Sequence, residues 1–140
     1  MTDDGRLVLG IDLGGTKVEG AVFSIADELP VTLVRQRIAT ARDEGYEAIL
    51  ARVTMFAHEL VRAAGLSAIP PVGVGIRGGV SRRTGLVKNS NTTCLNGRPF
   101  RQDLGVALGV PVRFANDANC FALAEARFGA AREYQDGVVF

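Results

Sequence analysis

The stretch Gly10-Ile11-Asp12-Leu13-Gly14-Gly15-Thr16-Lys17 lies between two apolar runs, Leu7-Val8-Leu9 before it and Val18 to Phe23 after it. Both runs read as buried strands. Apolar residues return at once after the glycines, so one strand must turn directly into the next, with no room for a helix. Two adjacent glycines let backbone N–H groups approach an anion, because no Cβ intervenes. Asp12, two residues ahead of them, could hold a hydrated Mg²⁺ against that anion. An acid, a glycine turn and a hydroxyl together suggest a nucleotide phosphate. The plainer reading is a hairpin turn with no ligand.

Residue order excludes two common nucleotide motifs. A Walker A loop, G-x-x-x-x-G-K-[ST], opens a helix. Here Gly10 and Gly15 have its separation, but Thr16-Lys17 reverses its last pair and a strand follows. Gly73-Val74-Gly75-Ile76-Arg77-Gly78 has the G-x-G-x-x-G spacing of a dinucleotide fingerprint. That fingerprint must open a helix, whereas this run lies in a strand and continues into the loop Gly79 to Gly85.

The 140 residues suffice for one ordinary domain. A composition of 47% hydrophobic and 22% charged residues belongs to a soluble globular chain, not a disordered one. The net charge of +1 offers no basic field for nucleic acid. Neither a signal peptide, a membrane span nor a basic amphipathic helix is visible. Cys94 and Cys120 are too few and too far apart for a disulfide framework or zinc knuckle. They are read as reduced thiols in a cytoplasmic protein, with a bond between the two left open.

Strands are expected near 6–12, 18–24 and 31–38, with a turn at Asp27-Glu28-Leu29-Pro30. A helix from about Glu44 to Ala64 follows. Its stripe of Ile49, Leu50, Val53, Phe56, Ala57, Leu60, Val61 and Ala64 keeps a 3.6-residue period, and Gly65 caps it. Val72 to Ile76 alternates as a short strand. Residues 77–98, rich in Gly, Ser, Thr, Asn and Arg, read as one long loop. A helix over about Phe100 to Leu108 ends at Gly109, and Val112 to Ala115 is a strand. A helix from Asn116-Asp117 to about Phe128 and a strand from Gly137 complete the order. Stopping at an apolar strand leaves its ladder unpartnered, which suggests an incomplete chain; a short edge strand is the alternative. Alternating strands and helices indicate an α/β fold with a mixed sheet.

Asn116-Asp117-Ala118-Asn119 sits where a strand gives way to a helix. Ligands bind beyond the C-terminal ends of strands in α/β sheets, and an aspartate there could accept a proton from a substrate hydroxyl. Asn and Asp are also favoured N-caps; the two roles are compatible. Asn89, Ser90, Asn91, Thr92 and Asn96 offer amides and hydroxyls that suit a polyol or sugar, although all are ordinary turn formers. His58, near the apolar stripe, is read as structural rather than a metal ligand. Arg82-Arg83 is read as solvated surface.

In this order the segments resemble the ROK family of sugar kinases. Gly10 to Lys17 resembles its first phosphate motif, and Gly73 to Gly85 its G-x-G-x-P-G segment. Leu86 to Thr92 with Leu95-Asn96-Gly97 resembles its sugar-contacting loop. Ala115 to Ala126 resembles the block carrying the catalytic aspartate. Within the family, the run Arg83 to Asn89 and the Leu95-Asn96-Gly97 turn look most like bacterial fructokinases, with N-acetylglucosamine kinases close behind.

The resemblance implies an actin-like ATPase (ribonuclease H-like) fold of two α/β domains around a cleft. Residues 1–115 would form the N-terminal domain, and 116–140 the opening helix and strand of an incomplete second one. It implies transfer of the ATP γ-phosphoryl group to a hexose hydroxyl, with Asp117 as the base. Asn116 would orient the sugar with Gly78, Gly79, Asn89 and Asn91. Asp12 would act near Mg²⁺ through water, and Gly14, Gly15, Thr16 and Lys17 would line the phosphate path. Arg77 stands where the family usually has proline, which alters the backbone before the sugar-contacting glycines. Family kinases are about twice as long; a second phosphate motif, the adenosine pocket and a structural zinc site would lie in the missing half. The fragment alone would then be inactive, and a homodimer is expected. The alternatives are an N-acetylhexosamine or glucose kinase of the same family, or a non-catalytic sugar-binding or regulatory half-domain. With the phosphate loop starting at residue 10 and a neutral charge, a DNA-binding regulator is not expected.

Overall fold

The computed structural model describes residues 6–26, 29–90 and 92–115. Five strands form one mixed sheet, in the order Leu29–Ala39, Lys17–Ala26, Arg6–Leu13, Val72–Ile76 and Val112–Ala115. β1 (Arg6–Leu13), β2 (Lys17–Ala26) and β3 (Leu29–Ala39) run antiparallel as consecutive neighbours. β4 (Val72–Ile76) and β7 (Val112–Ala115) then add parallel to β1. Each parallel addition follows a helix, as a crossover requires: α1 (Tyr46–Ala63) precedes β4 and α2 (Phe100–Leu108) precedes β7. This is the α/β mixed sheet that the alternation of elements predicts.

The core lies on one sheet face. Leu9, Ile11, Leu13, Val18, Val22, Val72, Val74 and Ile76 are buried there with Ile49, Val53, Phe56, Ala57 and Leu60 of α1 and Phe100, Leu104 and Leu108 of α2. The 3.6-residue stripe of α1 is therefore its buried stripe, with Leu50 and Ala64 at its half-buried margin. Gly20 sets the approach of α1 to the sheet. A Cβ on it would stand 2.5 Å from Leu60 Cδ1 and 2.9 Å from Phe56 Cε2. α1 ends in a Schellman motif, with Gly65 at φ 80° and its N–H on the Arg62 carbonyl, and Leu66 N–H on the Val61 carbonyl.

Several boundaries differ from the sequence expectation. α1 starts at Tyr46, because residues Arg42–Glu44 form a separate 3₁₀ turn before Gly45, whose φ is 96°. Leu29 and Pro30 belong to β3, not to a turn. β3 lies at the sheet edge, where a proline's missing N–H is tolerated. The stretch 77–98 is not one open loop. It holds a small hairpin, β5 (Gly79–Val80) with β6 (Val87–Lys88), and a 3₁₀ turn at Thr93–Leu95. Side chains close the hairpin turn: Ser81 Oγ accepts from the Arg83 and Thr84 N–H groups, and Thr84 Oγ1 from that of Leu86. The helix expected from Asn116 and the strand expected from Gly137 lie outside the described residues.

A hydrogen bond joins α1 to α2. Tyr46, the first residue of α1, donates its hydroxyl to Asp103 Oδ2 of α2 at 2.5 Å. Its ring meets Phe100 edge-on at 6.0 Å, and the Arg98 guanidinium lies 3.8 Å above it. Burial first, and the hydrogen bond to Asp103 next, push the Tyr46 phenol well above its ordinary range.

Candidate functional site

Sheet register brings the separate motifs to one edge. Asp12 pairs with Gly75, and Gly75 with Ala115, so the three form a row across β1, β4 and β7. At about 4.8 Å per strand, that row spans about 10 Å. All three parallel strands end at this edge, the usual ligand edge of such a sheet. From it leave the Gly14–Lys17 turn and the Gly78-Gly79 turn. Asn116 and Asp117 follow β7 directly in the chain but lie outside the described residues, as does Asn91.

The first turn is tight. Gly14 N–H bonds to the Lys17 carbonyl at 2.9 Å, so Gly15 and Thr16 alone span the hairpin. Space demands glycine at position 14: a Cβ there would stand 2.9 Å from the Lys17 oxygen. Thr16 and Lys17 are exposed, and Gly14 and Gly15 half-buried. Asp12 is exposed at the end of β1. Among the described residues no group of three or more His, Cys, Asp or Glu side chains could hold a metal. An ion beside Asp12 would keep most of its water shell, which fits Mg²⁺.

Two buried hydroxyls fix this turn from beneath. Thr40, just past β3, donates Oγ1 to the Gly14 carbonyl at 2.9 Å and its N–H to the Thr16 carbonyl at 2.9 Å. Thr92 donates Oγ1 to the same Gly14 oxygen at 3.2 Å. The two threonines are 0% and 1% exposed, so both lone pairs of one carbonyl are used inside the protein.

The second turn is equally constrained. Gly79 pairs with Lys88, which sets Gly78 against Asn89. Gly78 takes φ 90°, and a Cβ on it would collide with the Lys88 and Asn89 carbonyls. Asn89 is exposed with φ 59°, a left-handed conformation that asparagine tolerates. Thus the small hairpin brings Gly78 and Gly79 against Asn89, ten positions beyond Gly79 along the chain. Arg77 is exposed just before them.

Other loop residues use polar groups to hold the loop itself. Asn96 accepts from Ser90 N–H at 2.8 Å through Oδ1 and donates to the Ser90 carbonyl at 3.4 Å through Nδ2. Ser90 Oγ accepts from Thr92 N–H at 3.1 Å. Ser90, Thr92 and Asn96 therefore build the loop, with Ser90 and Thr92 buried and Asn96 exposed. Thr40 was not among the sequence candidates; a lone threonine after a strand carries no local signal. His58 is exposed on α1, outside the core. Cys94 is a free, half-buried thiol, and Cys120 is outside the described residues. No helix among the described residues is long and apolar enough to cross a membrane.

Known proteins resemble this chain in sequence and in fold. The model of the ROK family matches residues 8–140. The N-acetyl-D-glucosamine kinase of Haemophilus influenzae (strain 86-028NP) is 39% identical over 117 residues, covering 84% of this chain and 36% of that protein. The ROK hexokinase of Thermus thermophilus superposes with a TM-score of 0.70 at 34% identity, over 94% of this chain and 41% of that one. A ROK family glucokinase of Streptomyces griseus, solved with glucose and AMPPNP, gives 0.66 at 29% identity, over 89% and 37%. This chain thus spans little more than a third of the length of its curated relatives. Those neighbours carry the actin-like ATPase fold, and the order β3-β2-β1-β4-β7 found here agrees with it. With a family match over residues 8–140, the chain belongs to the ROK family.

Proposed function

We propose that this chain supplies the phosphate loop and part of the sugar site of a kinase that transfers the ATP γ-phosphoryl group to a hexose hydroxyl. The observation that carries the reading is the row Asp12–Gly75–Ala115, which ends three motif-bearing strands at one sheet edge. Residues 1–115 would be the first domain and 116–140 the opening of the second. The other phosphate motif, the adenosine pocket and a structural zinc site would belong to the part of the relatives that this chain does not span.

In this reading, Gly14, Gly15, Thr16 and Lys17 border the phosphates, and their N–H groups and the lysine charge offset the negative charge of the transfer. Asp12 holds Mg²⁺ through water; the ion supplies further charge neutralisation when bound. Gly78, Gly79, Asn89, Asn91 and Asn116 orient the sugar, and Asp117 accepts the proton of its attacking hydroxyl. Phosphoryl transfer needs mainly positioning and charge neutralisation, which a rigid turn and a fixed hairpin provide. The protein would work in the cytoplasm as a homodimer.

The relatives favour N-acetylglucosamine or glucose over fructose as the hexose, since they are named N-acetyl-D-glucosamine kinase and glucokinase. The Arg83–Asn89 run keeps fructose as the second reading. The test is ATP consumption by a protein that joins this chain to the remainder its relatives possess, with each sugar in turn. N-acetylglucosamine or glucose should be phosphorylated. Preference for fructose would reverse the substrate order, and inertness towards every hexose would overturn the kinase reading. Asp117→Ala should lower kcat by about 10²–10⁴-fold with folding retained; normal turnover would remove Asp117 as the base. The 140-residue chain alone should show no turnover.

A further inference from the structure

We propose that Thr92 is a positioning residue that couples the sugar-side loop to the phosphate turn, a role that rests on the reading of Gly14–Lys17 as the phosphate loop. A continuous set of hydrogen bonds runs between the two. Asn96 holds Ser90 through both its amide atoms. Ser90 Oγ accepts the Thr92 N–H. Thr92 Oγ1 then donates to the Gly14 carbonyl at 3.2 Å. Thr40 completes the clamp on the same oxygen at 2.9 Å.

The geometry of the peptide gives this clamp its consequence. The Gly14–Gly15 peptide is trans, so its C=O and N–H point in opposite directions. Drawing the carbonyl inward to two buried hydroxyls aims the Gly15 N–H away from them. An anion at the turn needs that donor held in a fixed direction before it arrives, because a preset dipole need not reorient on binding. A glycine has no side chain of its own to restrict how its peptide turns. The hydroxyls of Thr40 and Thr92 do so here, and Thr92 makes the orientation depend on the loop that carries Asn89 and Ser90.

The test follows the Gly15 amide by NMR in the ¹⁵N-labelled 140-residue chain, titrated with Mg²⁺ and inorganic tripolyphosphate. That probe needs no adenosine pocket. The Gly15 amide should shift on binding. Thr92→Val should bind about fivefold more weakly, the loss of one ordinary hydrogen bond, and Thr92→Ser should stay within about twofold of the parent. Thr92→Ala carries the same expectation should the second methyl of valine prevent folding. A parent Gly15 amide that ignores tripolyphosphate would overturn the phosphate-loop reading and this proposal with it. A parent that responds, matched by Thr92→Val or equally weakened in Thr92→Ser, would overturn the positioning role alone.

Discussion

Thr92 donates its hydroxyl to the Gly14 carbonyl from 78 positions further along the chain, at 3.2 Å and out of contact with solvent. With Thr40 on the same oxygen, a two-residue glycine turn becomes a rigid part of the molecule. A bare hairpin turn would need neither hydroxyl. This relation separates a turn that merely reverses the chain from one whose peptide has a set orientation.

Gly78 and Gly79 should respond oppositely to alanine. Gly78 combines φ 90° with the Lys88 and Asn89 carbonyls where a Cβ would sit, whereas nothing lies within 4 Å of a Cβ on Gly79. Gly78→Ala should cost more than about 2 kcal/mol, by strain and overpacking together. Gly79→Ala should stay within about 1 kcal/mol of the parent. Urea denaturation of the two variants gives both values; equal effects would contradict the geometry.

Asn96→Ala removes both amide contacts to Ser90. It should lower stability by about 1–2 kcal/mol and speed amide hydrogen exchange at Ser90 and Thr92. Were those amides to exchange as slowly as in the parent, Asn96 would not be the residue holding this loop.

Gly20→Ala introduces a Cβ against Leu60 and Phe56 on the core face of β2. Because those are side-chain ends, α1 can yield somewhat, and the expected loss is about 1–3 kcal/mol. Gly20→Ala combined with Leu60→Ala should lose less than the sum of the two single changes, since the second relieves the crowding caused by the first. Strict additivity in a double-mutant cycle would place the strain elsewhere.

Tyr46 predicts a dependence of stability on alkaline pH. Its phenol is raised above the ordinary value by burial and by Asp103. Above about pH 10 the unfolded chain therefore releases this proton while the folded protein retains it. Fewer protons are then bound in the unfolded state, and stability falls as pH rises. Its contribution is fully present below about pH 10 and declines above it. Tyr46→Phe should be about 1–2 kcal/mol less stable at neutral pH through loss of the Asp103 bond. It should also show a shallower decline between about pH 9 and 11. Parallel pH profiles for the two proteins would discount the Tyr46–Asp103 pair.

Much of the fold is legible locally. The α1 stripe, the Gly65 and Gly109 caps and the strand Val72–Ile76 each depend on periodicity or on a left-handed backbone conformation that glycine adopts most readily. The hairpin within 77–98 escapes such reading because its strands are two residues each, too short for alternation to register. Pro30 reads as a turn residue, yet it fits an edge strand once β3 is known to lie at the sheet edge. The loop polar residues stay ambiguous in sequence for a related reason. Composition marks Ser90, Thr92 and Asn96 as hydrogen-bonding groups but is silent on whether they face solvent or backbone.

The sequence by itself determined the five strands of the main sheet and the helices α1 and α2, that Gly14-Gly15 joins two strands directly, and which residues of α1 enter the core. Those properties arise from neighbours within a few positions. Only the tertiary structure decided that Asp12, Gly75 and Ala115 share one row, that Gly78 meets Asn89, and that Thr40 and Thr92 share the Gly14 oxygen. Those relations depend on strand order and register. A one-residue slip would turn every side chain of a strand to the other face, and no local pattern encodes a hydrogen bond between residues 78 positions apart.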